Sequence, residues 1–316
     1  MDPIAGRILD LPDDPLMIRI FGTILAGLLG LAFGSFLNVC LSRWPVGESV
    51  VKPRSHCRSC GRTLAWWENV PVVSWVALRG RCRTCQAGIS WRYPLVELCI
   101  GALWAVAACR SISVIASDRV ALNLFWEEIV VALSVMLFVW LVVGLAFLDA
   151  EHLWLPDWLT LPALLFGVVA KTVLAAIQLY VPPGEVRFGC WDCVSPWRAA
   201  VMSLVGAALA GCLILLIRWT YWLIRHREGI GLGDAKLMAM LGAWLGFSGA
   251  LLSFGIGVVL GALFALVALA APAARRESET WLAAKLPLGT FLCIGGIVSA
   301  LWGQPLIDTY KRWAGF

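Results

Sequence analysis

The chain has 316 residues, 60% of them hydrophobic and 14% charged, with a net charge of +5 and a mean hydropathy of +0.83. Soluble domains carry about a quarter charged residues, so this composition excludes a water-soluble globular protein. Apolar runs of about 20 residues, enough to cross a bilayer, recur from end to end, and the reading is an all-α polytopic membrane protein.

Eight runs follow one another at 20–42, 93–113, 124–148, 158–181, 198–224, 235–250, 251–272 and 286–303. "DLPDDP" flanks the first run where a signal peptide would be basic, so that run is read as a retained helix. The sixth and seventh runs meet near Phe247, Ser248 and Gly249 and must turn within very few residues. With the amino terminus outside, and charges near the end of a run counted with the side they adjoin, 16 of the 25 Lys and Arg fall inside and 8 outside, with 10 acids on each side. The positive charge then reads as positive-inside anchoring, and no nucleic-acid surface is needed to explain it. Lys171 lies within a span and is expected to snorkel toward the outer interface. Gly30/Gly34, Gly242/Gly246 and Gly257/Gly261 have the small-residue spacing of close helix packing.

Residues 43–92 form the only long loop, placed on the cytoplasmic side, with nine Lys or Arg and two Glu. They divide the chain into an outer terminus with the first span (1–42), this loop, and the remaining spans (93–316). The loop reads "CRSC" at 57–60 and "CRTC" at 82–85, with 21 residues between the two knuckles. Cys57, Cys60, Cys82 and Cys85 match a four-thiolate zinc site. Four protein ligands leave no position for water, so the expected zinc is structural, and so small a segment needs such a staple. Disulfides are disfavoured in a reducing cytoplasm. Cys190 and Cys193, in "GCWDC", fall in an outer loop and read as a disulfide or as two idle thiols. Cys40, Cys99, Cys109, Cys212 and Cys293 lie in or beside apolar runs and read as small buried hydrophobes.

Two acids stand at the inner ends of spans. Asp149 closes the run "LVVGLAFL", and Asp234 follows Gly229, Gly231 and Gly233 in "GIGLGDAKL". Glycines free the backbone for non-helical angles and close approach, and irregular backbone at membrane depth belongs to a protein-lined or wet site. Asp157 after Pro156 reads as a helix N-cap, and Glu151 and His152 as solvent-facing. Lys236 could pair with an aspartate, contact substrate or follow the positive-inside bias. Two aspartates brought together share a proton and can activate water. No HExxH and no GxSxG motif occurs, so elimination leads to an aspartyl hydrolase at the membrane face. A proton-coupled transporter would instead place its acids near span midpoints.

These blocks, in order, resemble the bacterial type IV prepilin peptidases, leader peptidase/N-methyltransferases of the GxGD aspartyl type. "GSFLNVC" (34–40) with Arg43 and Pro45, the two cysteine knuckles around "ENVPVVSWVALRGRC", "ISWRYPLVE", "LDAEHLWLPDWLTLP", "GIGLGDAKL" and "LPLGTF" (286–291) carry the likeness. The resemblance implies catalytic roles for Asp149 and Asp234, with Gly231, Gly233 and Lys236 shaping the substrate site. It implies zinc on the four cysteines and a multi-pass protein of the bacterial inner membrane whose site faces the cytoplasm. Prepilins or pseudopilins would be cut after a Gly that follows a basic leader. The new amino terminus would then be methylated from S-adenosylmethionine. The methyl-transfer half rests on the resemblance alone, and a leader peptidase that does not methylate is the alternative. Glu68, Arg79, Arg81 and Glu97 lie in matching blocks and could equally be solvated charges or headgroup contacts.

Overall fold

A segment in lipid must close its backbone hydrogen bonds within itself, and the apolar runs do so as helices. The computed structural model describes residues 15–115, 122–178, 195–227, 231–270 and 287–315. Its helices are α1 (Pro15–Arg43), α2 (Val73–Ala77), α3 (Arg92–Ile115), α4 (Leu122–His152), α5 (Asp157–Gln178), α6 (Pro196–Arg225), α7 (Leu232–Ala270) and α8 (Leu288–Ala314). Among the described residues seven helices, all but α2, are long and apolar enough to cross a membrane, and there is no strand. Large apolar side chains such as Phe21, Leu28, Phe166 and Val267 point outward, a surface suited to lipid and not to water. This is a multi-pass, all-helical membrane protein. Cys190 and Cys193 lie outside the described residues.

The chain divides into two compact units, Met1–Gly144 and Leu145–Phe316. In the first, α1 packs along α3 at the glycine pair singled out by spacing. A Cβ on Gly30 would lie 2.9 Å from Gly101 Cα, and one on Gly34 would lie 2.7 Å from Glu97 Cα. Any side chain there would force the helices apart. The indole N–H groups of Trp104 and Trp140 donate to Met136 O (3.0 Å) and Phe33 O (3.1 Å), tying α4 to α3 and α1. At the end of α1, buried Arg43 donates to Ser49 O and Pro53 O, both at 2.7 Å, and folds the chain into the loop.

In the second unit α6 runs antiparallel to the first half of α7. Gly206 touches Gly242, and the Ser203 hydroxyl donates to Ala243 O at 2.8 Å. Trp244 donates to Ala163 O at 2.8 Å and lies against Gly167, which fixes α5 on the same half. As one straight rod the 39 residues of α7 would extend for about 58 Å, nearly twice a bilayer core. The helix is instead broken at Gly246, with φ 73° and ψ 173°. The first turns of α7 and α8 both touch Leu155, so the two helices begin at one end. Beyond the break, Gly249, Gly257 and Gly261 meet Ser299, Leu292 and Phe291 in descending order along α8. The second arm of α7 therefore returns toward the start of α8. The turn expected at 247–249 falls at Gly246, and counting the two arms separately recovers the eight apolar runs.

Gly246 occupies backbone angles open in practice only to glycine. Gly246→Ala is expected to cost about 1–3 kcal/mol, read as a lowered thermal midpoint in detergent. Gly255→Ala, on the same helix with open space around the added carbon, is expected to leave the midpoint nearly unchanged. Equal midpoints for the two variants would remove the reversal.

Candidate functional site

The α4 helix ends where Leu153 takes a left-handed φ of 50° and its N–H returns to Asp149 O at 2.9 Å. Pro156 then restarts the chain as α5. Asp149 thereby sits in the last turn of α4, with only 5% of its surface exposed. Its Oδ2 accepts the Thr290 N–H at 2.7 Å, and the Thr290 hydroxyl lies 3.1 Å from Oδ2 and 3.0 Å from Ala146 O. Thr290 belongs to the first turn of α8, where helix N–H groups have no partner of their own and favour a negative group. A Cβ on Gly289 would lie 2.9 Å from both Cγ and Oδ2 of Asp149. Only glycine lets α8 come this near.

Asp234, half-buried, is the third residue of α7, and its Oδ2 accepts the Gly231 N–H at 3.2 Å. Carbons added on Gly233 and Gly289 would both meet Leu155, at 3.2 and 3.1 Å. The first turns of α7 and α8 thus close on this one side chain. Asp149 and Asp234 lie within electrostatic reach of each other, and the fully buried Cys293 feels both.

Other residues read from the sequence stand elsewhere. Lys236 Nζ pairs with Asp157 Oδ1 at 2.6 Å, both side chains well exposed. Asp157 is the first residue of α5 and carries that ion pair, so it is not the expected N-cap. Glu151 and His152 are exposed, 3.9 Å apart. Sequence reasoning missed Thr290 and Gly289 as individual residues. The block "LPLGTF" was visible, but nothing in it states that its amide meets an acid 141 positions earlier.

The loop between α1 and α3 folds around its cysteines. Each knuckle closes in the same way. Gly61 N–H donates to Cys57 O and Cys57 N–H to Arg62 O, and Gln86 N–H donates to Cys82 O and Cys82 N–H to Ala87 O. The turns need left-handed backbone at Gly61 (φ 71°) and Gln86 (φ 58°). The four sulfurs lie within 4.8 Å of one another, Cys57 and Cys85 at 3.7 Å. A tetrahedron with metal–sulfur bonds of about 2.3 Å has an edge of about 3.8 Å, so the four thiolates fit one metal ion. Amide N–H groups of Cys60 and Ser59 hold the Cys57 thiol below its ordinary range, and those of Cys85 and Thr84 pull Cys82 down to about 6. Metal ligation needs thiolates, and these amides favour them at Cys57 and Cys82.

Glu68 and Glu97 are not solvated charges. Glu68 is buried, with Arg62 at 2.6 Å and the Ala65 N–H at 2.8 Å on its two oxygens, and the guanidinium holds its carboxyl below the usual range. Glu97 is buried and accepts the Val72 N–H at 2.7 Å. Arg79 and Arg81 are exposed.

The profile of the bacterial peptidase A24 N-terminal domain matches residues 28–111, and that of the type IV leader peptidase family matches residues 135–266. A Pseudomonas aeruginosa protein named prepilin leader peptidase/N-methyltransferase is 31% identical over 92% of this chain and 93% of its own length. A Burkholderia pseudomallei protein of the same name is 35% identical over 88% and 84%. A third of that name, from Myxococcus xanthus, is 40% identical over 75% of this chain and 62% of its own length. No solved structure matches the chain.

Elemental analysis of the purified protein is expected to return one metal ion per chain. Changing Cys57, Cys60, Cys82 and Cys85 together to Ser is expected to abolish it. An undiminished metal content in that variant would remove the assignment.

Proposed function

This chain belongs to the type IV leader peptidase family, and on that premise we propose how its parts divide the two activities named for its relatives. It is a prepilin leader peptidase with N-methyltransferase activity, working in the bacterial inner membrane with its site toward the cytoplasm. The charge bias of the connecting segments supports that orientation. Prepilins or pseudopilins are the substrates, presented as an extended basic leader running into an apolar helix.

The observation that carries the peptidase reading is that Asp149 and Asp234 feel each other electrostatically at helix ends packed together through Gly289 and Gly233. Two carboxylates at close range share a proton. The ionised one takes a proton from water as the water oxygen attacks the scissile carbonyl. The protonated one polarises that carbonyl, and collapse of the tetrahedral adduct breaks the C–N bond as a proton passes to the leaving amine. Thr290 and Gly289 position Asp149. Gly231 and Gly233 shape the entrance to Asp234, and Lys236 holds the start of α7 to α5 through Asp157. Residues 93–316 carry this chemistry.

Residues 43–92 serve methyl transfer. The four-cysteine fit to a bond of about 2.3 Å and the lack of a spare ligand position favour structural zinc. S-adenosylmethionine supplies the methyl group to the amine that cleavage frees.

A synthetic prepilin incubated with the protein, with the product read by mass, tests both activities together. Asp149→Asn and Asp234→Asn are each expected to lower cleavage by roughly 10²–10⁴-fold. Asp157→Asn loses only an exposed ion pair, about 0–1 kcal/mol, and is expected to keep most cleavage. An inactive Asp157→Asn beside an active Asp149→Asn would reassign the first carboxylate. Gly289→Ala, which drives a methyl into the Asp149 carboxylate, is expected to depress cleavage while metal content stays at the wild-type level. Undiminished cleavage in that variant would separate α8 from the site.

A further inference from the structure

A cavity of about 600 Å³ lies within the first unit, and its wall includes Cys57 and Cys82 of the two knuckles. That volume suits a small organic molecule. The buried polar side chains that line it are chiefly acceptors. Asn38 is 1% exposed and donates through Nδ2 to Tyr93 O at 2.9 Å, which fixes the direction of its amide. Its Oδ1 is buried with no hydrogen-bond partner. Glu97 is buried and takes the Val72 N–H and the Ser35 hydroxyl, with no cation at ion-pair distance among the described residues. Glu68 is already neutralised by Arg62, and the Arg43 guanidinium is already taken by two backbone carbonyls. An orphaned carbonyl oxygen and a buried carboxylate without a cation are both costly unless a ligand answers them. Arg58 and Arg83 also line the cavity but are exposed, so it is at the buried end, by Asn38 and Glu97, that a ligand must bring positive charge and N–H donors. Trp75 adds an aromatic surface to the same wall.

We propose that this cavity is the methyl-donor site. Glu97 faces the positive charge of S-adenosylmethionine, Asn38 Oδ1 accepts from one of its amino groups, and the metal knuckles hold the wall in place. The donor matches this lining, having a sulfonium, an ammonium and an aromatic amine in one molecule. This inference rests on the methyl-transfer reading above, and it gives the metal a definite task. The ion keeps Cys57 and Cys82 where they close the cavity and takes no part in bond making.

The test is equilibrium dialysis of the full-length protein in detergent against radiolabelled S-adenosylmethionine, with methylation of a synthetic prepilin measured on the same wild-type preparation. Glu97→Gln keeps the size of the side chain and an acceptor for Val72, removing only the charge, and is expected to raise Kd tenfold or more. Asn38→Leu is expected to act in the same direction. Metal content and elution profile report whether each variant is folded. A photoreactive adenosyl analogue on the wild-type chain needs no variant, and its label is expected on peptides within residues 35–97. Label confined to Leu145–Phe316, or wild-type affinity in a folded Glu97→Gln protein that methylates when unmutated, would overturn the site. A wild-type protein that neither binds the donor nor methylates would instead overturn the methyl-transfer reading beneath it.

Discussion

An acidic side chain drawn out of water needs donors, and inside a bundle of apolar helices few are free. The first turn of a helix is the main source, because its N–H groups have no partner within the helix. Asp149 uses that source. The Thr290 amide meets its Oδ2 at 2.7 Å, and Gly289 has no Cβ to hold the two apart. The rest of the second unit answers to this contact. The left-handed stop at Leu153 sets where α4 ends, Leu155 fills the gap between two glycines, and the break at Gly246 brings α7 back beside α8. Each feature moves a helix start or end to the level of one carboxylate.

The first unit solves a different problem. Its loop is too short to bury a core of its own, so order comes from four thiolates and from a few buried charges. Arg43 turns the chain at the end of α1, Glu68 is fixed by Arg62 and an amide, and Glu97 reaches from α3 to hold the left-handed Val72. A metal ion held by all four thiolates would join the two knuckles, since each supplies only half of the cluster.

The sequence made the helices, the cysteine cluster and the two acids legible, each for a local reason. Apolar runs declare spans by length, CxxC places two sulfurs on one turn, and Asp149 and Asp234 interrupt otherwise apolar context. What stayed hidden was long-range. Thr290 is one hydroxyl in a row of small residues until α8 folds against α4. The partner of Lys236 is 79 positions away in sequence, at a residue that had a credible separate role as a cap. Glu68 and Glu97 looked like surface charges because nothing local announces Arg62 or the Val72 amide as their partners. Gly246 lay one residue before the expected turn, since an apolar run shows that a reversal must occur but not which glycine accepts its angles.

Two chemistries in one chain raise the question of whether they share machinery. Among the described residues, every hydrogen bond found on the carboxylates of Asp149 and Asp234 comes from residues of Leu145–Phe316, namely Thr290 and Gly231. Every residue lining the acceptor-rich cavity lies between Ser35 and Glu97, in the other unit. Among the described residues the two sets have no member in common. On the reading proposed above, peptide hydrolysis and methyl transfer draw on different side chains of the chain. On that reading the order of events follows from the substrate: the amine to be methylated does not exist until the peptide bond is cut, so cleavage must precede methyl transfer.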